Sequence, residues 1–268
     1  MIRNSVLAVS AAFLLATTSL AAAQQPPPAT GGGFFQRGAY SLTTGVDYST
    51  GKYGGTSSTD ILYVPITGTY NVDKWLFKLT VPFISVTGPG DVVRDIGKVK
   101  GKTAGQRKTQ SGLGDIVAGV TRNVFEAANA GTLVDLTGKV KFGTADASKG
   151  LGTGENDYAA QVDLTQSVTA LITAFGSIGY RVIGVPSGID LHNVVYGEVG
   201  GSYKISAAMR AGIILDASQS ASTSPQREVT AYLTQQFAER WKVQGYVVHG
   251  FASGSPDWGG GGTVTLSF

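Results

Sequence analysis

The residues of this sequence that could do chemistry are mostly carboxylates and amines, and their spacing is the first clue to their use. In "TLVDLTGKVKF" Asp135, Thr137, Lys139 and Lys141 occupy alternate positions, opposite Val134, Leu136, Val140 and Phe142. In "WLFKLTVPF" Lys78 and Thr80 oppose Trp75, Phe77, Leu79, Val81 and Phe83. In "DYAAQVDLTQSV" Gln161, Asp163, Thr165 and Ser167 oppose Tyr158, Ala160, Val162, Leu164 and Val168. A period of two is the signature of a strand with two unlike faces. Continued along the chain, the polar face collects Asp47, Lys78, Asp115, Asp135, Lys139, Lys141, Asp163, Arg181, Glu198, Arg210, Asp216, Glu228 and Lys242. Charges spread in this way make a wet wall and not a reaction centre.

Bond-breaking chemistry has little to work with. A serine hydrolase needs a base within hydrogen-bond reach of its nucleophile. Only His192 and His249 are available, and neither has a serine two residues away on the same strand face. Asp146, Glu155 and Asp157 are carboxylates in one predicted loop, with no spacing that pairs them for acid–base work. No Cys and two scattered His exclude a familiar transition-metal site. The reading is therefore no enzyme, no cofactor and no metal. Without Arg3 the chain carries 20 basic against 18 acidic residues, a balance that argues against a nucleic-acid partner.

The elements that must position these charges begin after a leader. Residues 1–23 read as a secretory signal peptide: Arg3, the apolar stretch "VLAVSAAFLLATTSL" and a small-residue "AAA" cleavage site. Residues 24–38, opening "QQPPPATGGG", read as a flexible linker. The remainder, 39–268, has period-2 stretches near 39–49, 59–70, 75–86, 113–125, 132–143, 156–168, 171–184, 192–203, 208–217, 227–238, 240–251 and 261–268. Short connections near 71–74, 126–131, 169–170, 204–207 and 239 alternate with longer ones, the longest near 87–112. That rhythm predicts an all-β, antiparallel transmembrane barrel of about twelve strands, with tight periplasmic turns and longer outer loops.

Aromatic residues support the membrane over a soluble β-sandwich or dry barrel, whose apolar face would point inward. Tyr40, Tyr70, Trp75, Phe125, Tyr203, Phe237, Trp241 and Phe268 all fall at predicted periplasmic strand ends, as a girdle requires. Arg122 falls on the lipid-facing parity near such an end, where it can snorkel. The closing "GTVTLSF" sets Val264, Leu266 and Phe268 on the lipid face, an expected signal to the barrel assembly machinery. Pro65 and Pro82 sit inside predicted strands, so bulges or gaps in the ladder are expected there.

"SGLGDIVAGV" at 111–120 and "GLGTGENDYAAQVDLTQ" at 150–166, together with the barrel C-terminus, resemble the outer-membrane barrel family labelled MetA-pathway of phenol degradation. The resemblance covers the whole mature chain and implies a transporter for small organic or aromatic compounds, with no residue role to carry over. Read physically, Gly112, Gly114, Gly152 and Gly154 are expected to supply positive-φ turns where long loops re-enter strands.

The function that follows is passive passage of small molecules through a narrow channel in the outer membrane of a Gram-negative bacterium. The alternative is a structural or adhesive barrel with a lumen plugged by its own salt bridges. Expected partners are outer-membrane lipids and lipopolysaccharide. The basic loop at 87–110, with Arg94, Lys98, Lys100, Lys102, Arg107 and Lys108, reads as a solvated segment near anionic headgroups, with "KVKGK" expected to extend the barrel as a hairpin above the membrane.

Overall fold

A computed structural model of the chain describes residues 39–89, 92–93, 97–98, 106–189, 191–221 and 224–268; the leader and linker read from the sequence lie outside them. Twelve strands make the wall: β1 (Ala39–Gly51), β2 (Thr59–Val72), β3 (Trp75–Gly88), β4 in two pieces (Lys108–Leu113 and Ile116–Ala127), β5 (Thr132–Phe142), β6 (Asp157–Ser167), β7 (Ile172–Val182), β8 (Val194–Lys204), β9 (Met209–Ser218), β10 (Gln226–Ala238), β11 (Trp241–Gly250) and β12 (Trp258–Ser267). Each is antiparallel to the next, and β12 pairs with β1 from Ser41–Ser267 to Thr50–Trp258, so the sheet closes on itself. The chain ends inside the ladder: the Ser267 amide donates to Arg240 and the Phe268 amide to Tyr40.

Two differences from the sequence reading have local causes. β4 starts at Lys108 and not near 113, because its first piece continues the pairing with β3 as far as Gly88. The basic loop is shorter accordingly. Val92 and Val93 pair with Gly97 and Lys98. Arg94, Lys100 and Lys102, and with them most of the "KVKGK" hairpin, fall outside the described residues.

The prolines show why the ladder must break. Pro65 and Pro82 face each other directly across β2 and β3. That ladder is continuous, so the missing N–H of each lies on its far side, toward β1 and β4 respectively. Pairing between β1 and β2 skips from Thr44–Ile66 to Asp47–Tyr63. Between β3 and β4 it skips from Phe83–Leu113 to Thr80–Val117, giving β4 one extra residue. Neither proline carbonyl is orphaned: Thr44 Oγ1 donates to Pro65 at 3.0 Å, and the Gly114 amide to Pro82 at 2.9 Å.

The outward parity is apolar and exposed, as at Leu79, Leu136, Leu164, Ile178, Ile213 and Leu215. At the end with the tight turns and both described chain ends, rings gather on this face. Tyr40 and Tyr70 stack at 4.5 Å, Phe237 and Trp241 at 6.3 Å, and Arg122 lies 4.8 Å over Trp75. One-residue bulges at 123–125 in β4 and 236–238 in β10 interrupt the register beside Phe125 and Phe237, and both side chains are exposed.

Inside the wall, large rings are accommodated by glycine on the neighbouring strand. Gly179 pairs with Tyr196, Gly200 with Phe175, Gly212 with Tyr232 and Gly261 with Tyr246. A Cβ at Gly212 would lie 2.4 Å from the Tyr232 ring, and one at Gly179 would lie 2.3 Å from Tyr196. The rings therefore lie flat on the backbone of the wall, an arrangement open only to glycine. Phe175, Ile214 and Tyr232, with Tyr246 against them, form one buried cluster; Tyr53, Ile61, Ile84, Val86, Ala145 and Leu151 form another.

Replacing Gly212 by Val should destabilise the barrel by about 1–3 kcal/mol, because the Tyr232 ring has to leave its seat. Gly119→Ala, whose nearest neighbour would be 3.7 Å away, should change little. Urea titration of the heat-modifiable folded band on gels measures both; equal midpoints would show that the ring has another place to go.

Candidate functional site

The inward face carries the charges, and the register sorts them into rows that no single strand reveals. Asp135 on β5 pairs with Asp163 on β6, which pairs with Ser177 on β7. Ser177 pairs with Glu198 on β8, which pairs with Asp216 on β9, and that in turn with Glu228 on β10. Five carboxylates thus lie on one hydrogen-bonding row. Because barrel strands are tilted, the row climbs as it turns. It starts three residues into β5, near a tight turn, and ends two residues into β10, near a long loop. Neighbouring strands are about 4.8 Å apart, and like charges directly opposite are destabilising. Yet Asp163, Asp216 and Glu228 stand in no ion pair among the described residues.

The amines keep to other rows. Lys78, Gly119, Lys139, Ala159 and Arg181 pair successively from β3 to β7, four residues along the strand from the carboxylates where both rows cross β5. Between the rows lie Thr137, Gln161 and Tyr196. Lys139 Nζ donates to Gln161 Oε1 at 2.7 Å, Tyr196 Oη donates to the same oxygen at 3.1 Å, and Thr137 Oγ1 donates to Asp163 at 2.9 Å. Gln161 Nε2 also donates to Asp163. Asn123 Nδ2 donates to Asp135 at 2.9 Å. Arg210 and Lys242 lie near the tight-turn end, opposite Lys204 and Gln236 respectively.

Asp47 accepts from Tyr246 Oη at 2.5 Å and borders a cavity of about 70 Å³, which Lys78, Tyr63, Thr67 and Thr80 also line. A more open cavity of about 530 Å³ borders Glu198, Asp216 and Glu228 together with the outward-facing Ile178, Val199 and Leu215, so it is not a space of the lumen alone. The inward tyrosines 63, 196, 232 and 246 were not among the residues singled out from the sequence. The signal was present, since Tyr196 and Tyr232 share strand parity with Glu198 and Glu228.

Asp115 and Lys141 have a different setting from the rest. The extra residue of β4 beside Pro82 leaves Asp115 buried at the outer end of the wall. Lys141 Nζ lies 3.4 Å from Asp115 and 3.1 Å from Asp157, and all three side chains are at most 5% exposed. The Ala145 amide donates to Asp115 Oδ1 at 2.9 Å, and the Gly184 amide to Asp157 Oδ1 at 3.1 Å. In the loop above, Asp146 caps the short 3-10 helix Ala147–Lys149. Bonds from the Ser148 hydroxyl and the amides of Lys149 and Ser148 hold its carboxyl below the usual aspartate range. That support is full above the ordinary aspartate pKa and is lost as pH falls through the lowered value.

The glycines of the two loop motifs need correction. Of Gly112, Gly114, Gly152 and Gly154, only Gly154 has a positive φ, +75°. The other three are sites of close approach: a Cβ would fall 2.9 Å from Leu151 at Gly112, 3.0 Å from Pro82 at Gly114 and 2.7 Å from Ala145 at Gly152. Among the described residues, no group of three or more His, Cys, Asp or Glu is placed to hold a metal ion.

A closed antiparallel wall, apolar outside and charged inside with aromatic strand ends, defines a β-barrel of the outer-membrane type. Solved structures show the same fold. The chain is similar to a COG4313 outer membrane channel from Pseudomonas putida F1, with a TM-score of 0.71 over 90% of this chain and 100% of that one, at 11% identity. It is also similar to the β domain of the Bordetella autotransporter BrkA, with a TM-score of 0.52 over 86% and 99% of the two chains, at 9% identity. No family model matches the sequence, and no curated protein matches it.

The two lysines of "GKVKF" should respond differently to substitution. Lys141→Met strands two buried carboxylates and should cost about 3–5 kcal/mol. Lys139→Gln removes the bond to the neutral Gln161 and the approach to the Tyr196 ring, and should cost less, about 0.5–1.5 kcal/mol. Urea midpoints of the two purified variants decide this; similar losses would mean that the ion pairs at Lys141 contribute nothing special.

Proposed function

We propose that this barrel is an outer-membrane channel through which small molecules pass passively. The observation that carries the reading is the row Asp135, Asp163, Glu198, Asp216, Glu228, running from one end of the wall toward the other. A barrel that served only as a scaffold would gain by replacing such a row with apolar side chains. A lumen that passes solutes gains from keeping it, because fixed charges attract counter-ions and orient dipoles within a Debye length of about 8 Å. The fold shared with an outer membrane channel supports the reading, as does the sequence resemblance to a family of organic-compound transporters. Small organic compounds are accordingly the proposed solutes, with Asp47, Lys78, Arg210 and Lys242 as further lumen-lining groups. The outer membrane of a Gram-negative bacterium is the proposed site, with lipopolysaccharide around the wall. Val264, Leu266 and Phe268 are the proposed signal to the assembly machinery.

A second reading, a structural barrel with a filled lumen, draws on the cluster of Phe175, Ile214, Tyr232 and Tyr246 inside the wall. Planar-bilayer recording separates the two. The channel reading expects discrete conductance steps with a preference for cations over anions. Asp216→Asn combined with Glu228→Gln should shift the reversal potential toward anions, reducing the permeability ratio roughly twofold or more, since these charges lie within screening distance of a passing ion. Absence of conductance from correctly folded protein would support the filled barrel instead.

A further inference from the structure

We propose that the loop joining β5 to β6 is a gate at the outer mouth, with Leu151 as the side chain that closes it. The inference rests on the channel reading and concerns its regulation.

Four observations carry it. First, the loop has a narrow neck. The Gly143 amide donates to Asn156 Oδ1 at 2.9 Å, and a Cβ at Gly143 would lie 2.3 Å from the carbonyl carbon of Gly154. The two ends of the excursion are thus in contact, which is the form of a compact Ω-type loop. Second, the loop is organised within itself. Asp146 caps the 3-10 turn, Gly150 closes it in the left-handed region at φ +73°, and the Leu151 amide donates to the Asp146 carbonyl at 3.1 Å. It can therefore move as a unit rather than melt.

Third, its apolar tip is turned into the barrel. Leu151 is 1% exposed and Ala145 6%, and both belong to the cluster of Tyr53, Ile61, Ile84 and Val86 at the outer end of β2 and β3. Gly112 on β4 makes the room, since a Cβ there would meet Leu151 Cδ1 at 2.9 Å. Fourth, the loop is fastened to the wall by polar contacts, and no strand ladder runs through 143–156. The contacts include the Ala145 amide on Asp115, the Ile116 amide on Thr144 Oγ1 at 2.9 Å, the Thr144 hydroxyl on the Gly114 carbonyl at 3.2 Å, and the Thr153 hydroxyl 3.4 Å from Lys141 Nζ, the amine that also joins Asp115 to Asp157. An element held at a glycine neck, by a few bonds and the small buried surface of Ala145, Leu151 and Thr153, can open without disturbing the pairing of the barrel. Opening carries Leu151 outward and leaves a mouth lined by Ile61, Ile84 and Val86. This is the arrangement of a lid that sequesters and then releases a passage.

The chain has no cysteine, so a designed pair is free of competing thiols. Gly112→Cys with Leu151→Cys replaces the close contact by a disulfide between the same positions. In planar bilayers the oxidised double variant should lose most of its conductance, and reductant should restore it. Leu151→Ser, which leaves the barrel wall untouched, should raise the open fraction above that of the unmodified protein. A cross-linked variant that conducts like its reduced form, or Leu151→Ser gating like the parent, would overturn the gate while leaving the channel reading intact. Should the double variant not fold, the serine variant alone decides. Silence of the parent, the reduced double variant and Leu151→Ser alike would remove the gate together with the channel reading.

Discussion

A sheet in hydrocarbon has no water to satisfy its edges, and this one requirement shapes the rest of the molecule. It forces β12 back onto β1 and leaves no frayed end, so the last two amides are tied to Arg240 and Tyr40. It also explains the treatment of the prolines. Each deletes a donor, and the two are placed back to back so that the loss falls on the two flanking ladders. There a threonine hydroxyl and a glycine amide take up the carbonyls. The extra residue this introduces into β4 is also what brings Asp115 to the fastening of the outer loop.

Closure fixes parity as well. Once each strand has its partners, a residue faces lipid or lumen for the whole height of the wall, and sliding by one position would exchange the two faces. Charged side chains then have one affordable side, since a lysine or arginine at the midplane of the lipid face costs about 2–4 kcal/mol. The interior must hold them together with its own aromatic rings, and the glycines opposite Phe175, Tyr196, Tyr232 and Tyr246 let those rings lie along the wall. The high glycine content, 38 residues, is in part a device for packing the inside of a barrel.

Parity was legible from the sequence because it is local. Alternation in "TLVDLTGKVKF" alone separates Asp135 and Lys141 from Val134 and Phe142, and strand number and the girdle follow from counting such segments. Which charge stands beside which was not legible. That depends on the stagger between strands, and the row from Asp135 to Glu228 appears only when five registers are known. The same limit hid the purpose of the loop glycines. Gly112 reads as a turn former from its neighbours, whereas its role is set by Leu151, which is distant in sequence. The early start of β4 was masked because "KTQSG" is polar on both parities, so hydrophobic periodicity had nothing to report.

The charges of the interior divide into two electrostatic regimes, and in the proposed channel the division separates structure from passage. At Lys141 one amine sits between two carboxylates, all buried, with backbone amides completing the shell. Such a site is expensive to assemble and expensive to break, so it belongs to something that must hold its shape. Along the row, Glu198, Asp216 and Glu228 stand on successive strands while Ser177 separates Asp163 from Glu198, and Asp163, Asp216 and Glu228 stand in no ion pair among the described residues. Repulsion of that kind is relieved where neighbouring carboxyls share a proton or where mobile ions can approach. Lys139 marks the boundary. It lies two residues from Lys141 on the same face, and its amine is bonded to the neutral Gln161, which also donates to Asp163 of the acidic row. A single strand thus carries, one alternation apart, a lysine held between two buried carboxylates and a lysine bonded to a neutral amide.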